Sequence, residues 1–354
     1  MTDERIIKKE RDTNIELLRC LAMIAIIGCH MIAHSGIEYS SFSINSAFAS
    51  VLTIGGTIGD NLFVLITGYF YQKNGFSIKK IALLIIEVSF YSTVLYIVSC
   101  LVGATTFSIK YLVQSMVILL SGDGYWFIRM YIELCFVMPI ISIGLKNCNL
   151  KLTGVGILLF VFLWSFIPFT IGKFISTNDF GYNRFSWMVL VYCIGAFIYN
   201  VKNRFNGNRI AILTAVSSLS ILISARIASL WAMENNASKL LLTILEKIGE
   251  DRLFGFLPLI LSVSLFIIVQ GSNVKYNRLI NTLASSTFGV YLIHNNIYFR
   301  EYIWNSIFKI PELFHSTMFP ILSVFVVVSI FAISVLIDLI RKRYIEKWFI
   351  LLKK

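Results

Sequence analysis

Charge is what this sequence has least of: Asp, Glu, Lys and Arg make up 14% of its 354 residues, where soluble globular domains carry about 25%. Hydrophobic residues reach 57% and the mean hydropathy is +0.78. A water-soluble globular chain is excluded. Proline is also scarce, and Pro139, Pro168, Pro258, Pro311 and Pro320 fall mostly near the ends of apolar runs. No two runs are therefore broken at matching positions, the mark of many inverted-repeat carriers. The six cysteines (Cys20, Cys29, Cys100, Cys135, Cys148, Cys193) have neither paired nor metal-like spacing and read as small apolar fillers. No metal site is expected. No connection is long enough to form a soluble domain, and no internal repeat is visible.

What is present in abundance is apolar run. One crossing of a bilayer takes about 20 mainly apolar residues. Ten runs qualify, at 15–34, 50–71, 79–102, 125–144, 152–171, 184–200, 209–232, 252–270, 279–300 and 318–340. An eleventh, Tyr111 to Leu120, is too short and is expected at the membrane interface or beside the fourth helix. The expected fold class is all-α: a polytopic bundle of about ten transmembrane helices. A basic tail (1–13) and a second one (341–354) flank a transmembrane domain (14–340).

Basic residues accumulate in loops that stay in the cytoplasm. With the N-terminus inside, 20 Lys and Arg fall on the cytoplasmic side and 8 outside, leaving Arg19, Arg129 and Arg226 within spans. Both termini are thus expected in the cytoplasm, in a multi-pass protein of the cell (plasma) membrane. The net charge of +12 is a topology signal rather than a nucleic-acid footprint, because the cations are scattered through short loops. The first residues are too charged for a cleaved signal peptide, and Arg19 before Cys20 spoils a lipoprotein site.

Against this apolar background the polar residues stand out. Arg19 and His30 lie eleven positions apart in the first run. That spacing leaves them roughly 20° apart around a helix and roughly 16 Å apart along it, on one face. An Arg inside a span costs about 2.5–3.5 kcal/mol on insertion scales, so it is read first as a functional group facing the protein interior. Its plainer role is to reach back to the headgroups. His34 is one turn beyond His30. Arg129 and Glu133 are spaced i, i+4, which suits a helix salt pair as well as a site. Asp60 and Asn61 open the second helix, His294 lies high in the ninth, and Glu87 is the acidic residue deep in the third.

Four segments together resemble a family. They are Glu16-Leu-Leu-Arg19 ending at His30, Asp60-Asn-Leu-Phe63 with Thr67-Gly-Tyr-Phe70, Tyr125-Trp126-Phe127, and Thr287-Phe-Gly-Val-Tyr291-Leu-Ile-His294. In this order on ten helices they are similar to the membrane acyltransferase-3 family, whose hallmarks are Arg-x10-His, Asp-x-x-Phe with Ser-Gly-Phe, Trp-Phe and Tyr-Leu-x-His. Thr67 stands where the family has Ser and keeps the hydroxyl. The likeness covers residues 14 to 340.

The resemblance implies transfer of an acyl group, usually acetyl from acetyl-CoA, to a hydroxyl of a cell-surface glycan, without an appended soluble domain. Arg19 is then expected as the ligand of the anionic coenzyme, and His30 as general base or as a covalent acyl carrier. His294, Arg129, Glu133, Trp126, Asp60 and Tyr291 are expected on the substrate side. Glu38, Tyr39, Asp123, Asp179, Tyr182, Glu234 and Asn235 are further loop candidates for the glycan. The expected partners are acyl-CoA, a glycan acceptor and the lipid bilayer. A different class stays open: a transporter or flippase for a glycan or small amino acid, in which His and Glu relay protons.

Overall fold

The computed structural model describes residues 12–39, 41–75, 77–120, 124–171, 183–201, 208–249 and 255–345. Most of both basic tails lies outside this set, as do Asp123, Asp179 and Tyr182. Among the described residues there are helices and no strands. Eight helices are long and apolar enough to cross a membrane. They are α1 (Thr13–His34), α2 (Ile44–Asn74), α3 (Ile78–Leu101), α5 (Trp126–Asn147), the continuous run of α6 (Leu150–Val161) into α7 (Ile167–Ile171), α8 (Arg184–Val201), α9 (Asn208–Glu234) and α15 (Phe319–Tyr344). The short α4 (Ile109–Met116) occupies the run expected not to cross, and its large side chains are mostly exposed. α10 (Lys239–Ile248) follows α9, and α11 (Phe256–Gln270) is the short apolar helix of the eighth run.

Local chemistry sets the helix ends. The Ser43 hydroxyl accepts from the Ser46 N–H (3.0 Å) and starts α2, and Gly75, at φ 75°, ends it. Two buried clusters form the core, one built on α1, α13 (Thr287–His294) and α15, the other on α2, α5 and α8. α2 and α8 cross with almost no side chain between them. A Cβ on Gly68 would land on the Tyr192 carbonyl, and one on Gly195 on the Leu65 carbonyl, the close approach that small residues permit between membrane helices.

The ninth run departs from expectation. In place of one helix over 279–300, α12 (Arg278–Ser285) stops at Ser286, and α13 resumes at Thr287 and ends before Asn295. The chain then turns and passes through a π-helical stretch, Tyr302–Ile307, to α14 (Ile310–Phe314). Backbone carbonyls freed by a break need partners in a water-poor interior. α15 supplies one: Lys342 Nζ donates to the Ser285 carbonyl (2.6 Å) and to the Ser286 hydroxyl (3.1 Å). That ammonium is paired with Asp338 at 2.7 Å. Asp338, fully buried, also accepts from the Tyr91 hydroxyl (2.9 Å) and from Arg341 (3.0 Å), and Arg341 reaches Glu87 of α3 at 2.8 Å. Gly289 is required beside this carboxylate, because any Cβ there would run into it.

Two stability outcomes follow from these contacts. Gly68→Val overpacks the α2–α8 crossing and should cost about 1–3 kcal/mol, read as a lower unfolding temperature in detergent. Gly144→Ala, which meets nothing within 4 Å, should leave it unchanged or raise it. Asp338→Leu leaves Lys342 without its carboxylate and Arg341 with Glu87 alone, and should cost about 3–5 kcal/mol. An unaltered melting curve for that variant would mean that the network contributes nothing to holding the break.

Candidate functional site

Arg19, Met23 and Ile26 rise along one face of α1, and His30 follows one turn later on the same face. The first three line a chamber of about 280 Å³. Its other walls are Asp60, Phe63 and Thr67 of α2, Leu84 of α3, Phe127, Ile128 and Tyr131 of α5, and Ala284, Ser285, Thr287, Phe288 and Tyr291 of the broken ninth run. A second chamber of about 220 Å³ extends from Arg19, Thr67, Leu84 and Tyr131 to Tyr71, Gly75, Ser77 and Lys80 at the α2–α3 connection. The two chambers therefore share Arg19. Its guanidinium is held by Glu16 at 2.8 Å, with 23% of the side chain exposed. One Nη is engaged by that carboxylate, which leaves further donors for a ligand. Where the chambers share walls, the Thr67 hydroxyl donates to the Phe63 carbonyl (2.9 Å) and lies 3.4 Å from the Tyr131 hydroxyl.

Tyr291, on the wall of the first chamber, has its ring centre 6.0 Å from that of His30. There three imidazoles gather. The His30 ring lies 5.2 Å from His294 and 5.3 Å from His34. His30 Nδ1 and His294 Nε2 are 3.0 Å apart, and His294 Nδ1 is 2.6 Å from the Val290 carbonyl. A carbonyl only accepts, so His294 carries its proton on Nδ1. In the neutral pair its Nε2 is then a lone pair, and His30 must be the donor through Nδ1–H. His30 Nε2 is left as a free acceptor, without a hydrogen-bond partner among the described residues. His34 Nε2 donates to the Asn295 side-chain oxygen at 3.1 Å.

The turn after α13 is pinned from α5. Tyr125, at φ 48°, donates its hydroxyl to the Leu292 carbonyl (2.6 Å) and accepts from the Asn296 amide (3.0 Å). Among the described residues no three His, Cys, Asp or Glu side chains converge as a metal-binding set.

Of the expected site residues, Arg19, Asp60 and Tyr291 line the first chamber, while His30 and His294 pair with each other and line neither chamber, His30 meeting the first only across the Tyr291 ring. Asp60 faces the first chamber, with the Arg184 guanidinium as an opposite charge acting on it. Trp126, Arg129 and Glu133 line neither chamber. The Trp126 ring carries Arg184 at 4.7 Å, Arg129 donates to the Gly124 carbonyl at 3.1 Å, and Glu133 is exposed. Of the loop candidates, Glu234 is engaged by the Phe42 N–H at 3.1 Å and Asn235 by the Trp231 carbonyl at 2.8 Å. Residues not singled out in advance include Tyr131 and Ser285. Tyr131 lies one turn past Phe127 on the same helix face, a signal that spacing alone carried.

A family model described as an acyltransferase domain matches residues 12–339. The chain belongs to the acyltransferase-3 family. It is therefore a membrane acyltransferase, and the four segments that carried the resemblance lie within the matched span. Neither a curated protein nor a solved structure matches it.

The proton arrangement is open to measurement. Nitrogen-15 NMR of histidine-labelled acyltransferase should find His30 and His294 both protonated on Nδ1. A signal for Nε2–H on His30 would reverse the direction of the hydrogen bond between them.

Proposed function

We propose that this acyltransferase moves an acyl group, acetyl by default, from cytoplasmic acyl-CoA to a hydroxyl of a cell-surface glycan. The observation that carries the reading is the pair of chambers that share Arg19, one leading to the α2–α3 connection and the other to Tyr291 beside His30. The excess of basic residues at Lys73, Lys79 and Lys80 supports a cytoplasmic side for that connection and for both termini. Acyl-CoA then enters past Lys80. Arg19 binds its phosphates or its polarised amide oxygens, and the pantetheine arm extends along the α1 face towards Tyr291.

Chemistry takes place at the His30 end. His30 Nε2 accepts the proton of the acceptor hydroxyl as its oxygen attacks the thioester carbonyl. The carbon–sulfur bond breaks, the thiolate leaves and is reprotonated, and an ester and free CoA result. His294 holds the His30 ring in the tautomer that exposes Nε2. Asp60 and Tyr291 stand at the chamber wall beside the reacting carbonyl and position the acceptor.

Purified protein given labelled acetyl-CoA and an oligosaccharide should release CoA and label the sugar. His30→Ala should lower turnover by about 10²–10⁴-fold while the protein stays folded. Arg19→Gln should raise KM for acetyl-CoA by about tenfold, the loss of one charge-assisted contact. Undiminished turnover in His30→Ala removes His30 from the mechanism. Solute accumulation in vesicles without CoA release assigns a carrier instead.

A further inference from the structure

Two arginines of the interior are neutralised by the protein itself. Arg19 has Glu16 at 2.8 Å, and Arg341 has Glu87 at 2.8 Å and Asp338 at 3.0 Å. Arg300 has no such partner. It is half-buried, and no Asp or Glu of the described residues lies within ion-pair distance of it. Its Nε is buried and has no hydrogen-bond acceptor. The neighbouring Glu301 is exposed.

Arg300 is carried by the same turn that positions the histidines. Its backbone N–H donates to the Asn296 carbonyl at 2.8 Å, while the side chains of Asn295 and Asn296 hold His34 and Tyr125. It lies close enough to His30, His34, Tyr125 and Tyr291 for its charge to act on all four. Those neighbours are neutral rings, so none balances it. A guanidinium whose Nε is shielded from water without an acceptor is costly. A planar guanidinium with free donors matches a carboxylate or a phosphate in two-point contact.

We propose that Arg300 is an acceptor-specificity residue: it receives a carboxylate or phosphate of the acceptor glycan, and the enzyme selects anionic over neutral acceptors. The inference rests on the acyl-transfer reading for its biological sense, while its binding test does not. Arg300 is carried by the turn that follows His294, whereas Lys80 lines the second chamber, so donor and acceptor anions would meet different cations. An acceptor anchored through its anion presents a neighbouring hydroxyl to His30 Nε2.

The test is binding in the absence of donor, with protein in lipid nanodiscs. Three probes are compared: a glucuronate-containing oligosaccharide, the same oligosaccharide after reduction of its carboxyl groups, and a glycerol-phosphate oligomer. At least one anionic probe should bind about tenfold tighter than the neutral one, with the advantage shrinking as salt is raised. Tighter binding of the first probe identifies a sugar carboxylate as the anion, and of the third a phosphate. Arg300→Gln should abolish the advantage and leave neutral binding unchanged, and Arg300→Lys should retain most of it. Equal binding of anionic and neutral probes, no binding of either anionic probe, a preference that survives Arg300→Gln, or equal weakening of all three overturns the assignment. CoA release is measured separately. An Arg300-dependent anion preference without CoA release removes the transferase reading and leaves the anion site standing, and the reverse result removes only the anion site.

Discussion

A carbonyl oxygen in a water-poor interior must find a donor, and the break in the ninth run is organised around that requirement. The ninth apolar run stops at Ser286 and restarts, which frees the Ser285 carbonyl. Lys342 donates to it, Asp338 balances Lys342, and Arg341 and Tyr91 bind Asp338. Glu87 then balances Arg341. One unsatisfied backbone group is thus answered by five side chains on two other helices. Removing any single charge from the set leaves another uncompensated, which is why such a network is expensive to break even where it adds little net stability. The same break places Ser285, Thr287 and Tyr291 on the chamber wall and lets α13 end where His294 meets His30.

Arg19 shows the other way of keeping an interior cation. Reaching back to the headgroups is the ordinary fate of an arginine near the end of a span. Here it lines two chambers and is aimed by Glu16, one turn earlier on its own helix. An i, i+3 pair constrains the guanidinium without enclosing it, so the side chain is ordered before a ligand arrives and loses less entropy on binding.

How much of this was legible in the sequence depends on the range of the interaction. Hydropathy is a local sum, so the eight long helices and the short α4 were readable. The shared face of Arg19 and His30 followed from helical periodicity alone. The break at 286 was not, because an apolar window reads the same whether the hydrogen-bond ladder runs through it or stops. The only local hint is Ser285-Ser286-Thr287, three side chains able to bond the backbone themselves, and the lysine that satisfies the break lies 57 residues away. The His30–His294 contact spans 264 positions and leaves no local trace beyond the presence of two histidines. Glu133 illustrates the complementary limit. Its spacing from Arg129 is helical, but which face of α5 looks inward is decided by the helices packed against it. Arg300 counted as one more loop cation, since the absence of a carboxylate near it is a property of three-dimensional neighbours.

The use of a second histidine in place of a carboxylate has a chemical consequence. Val290 O cannot donate, so the hydrogen bonds run in one direction from His30 through His294 to the backbone. A buried carboxylate in the same place would bring a formal negative charge into a bundle that already spends several side chains balancing its interior charges. The neutral imidazole orients His30 without that charge. When Nε2 takes up a proton, the Nδ1–H bond to His294 becomes charge-assisted and strengthens as charge develops, and the Val290 carbonyl dipole behind His294 is aligned to favour it. On the proposed reading of His30 as the base, the stabilisation is small in the resting enzyme and grows along the reaction, the pattern that lowers a barrier rather than deepening a ground state.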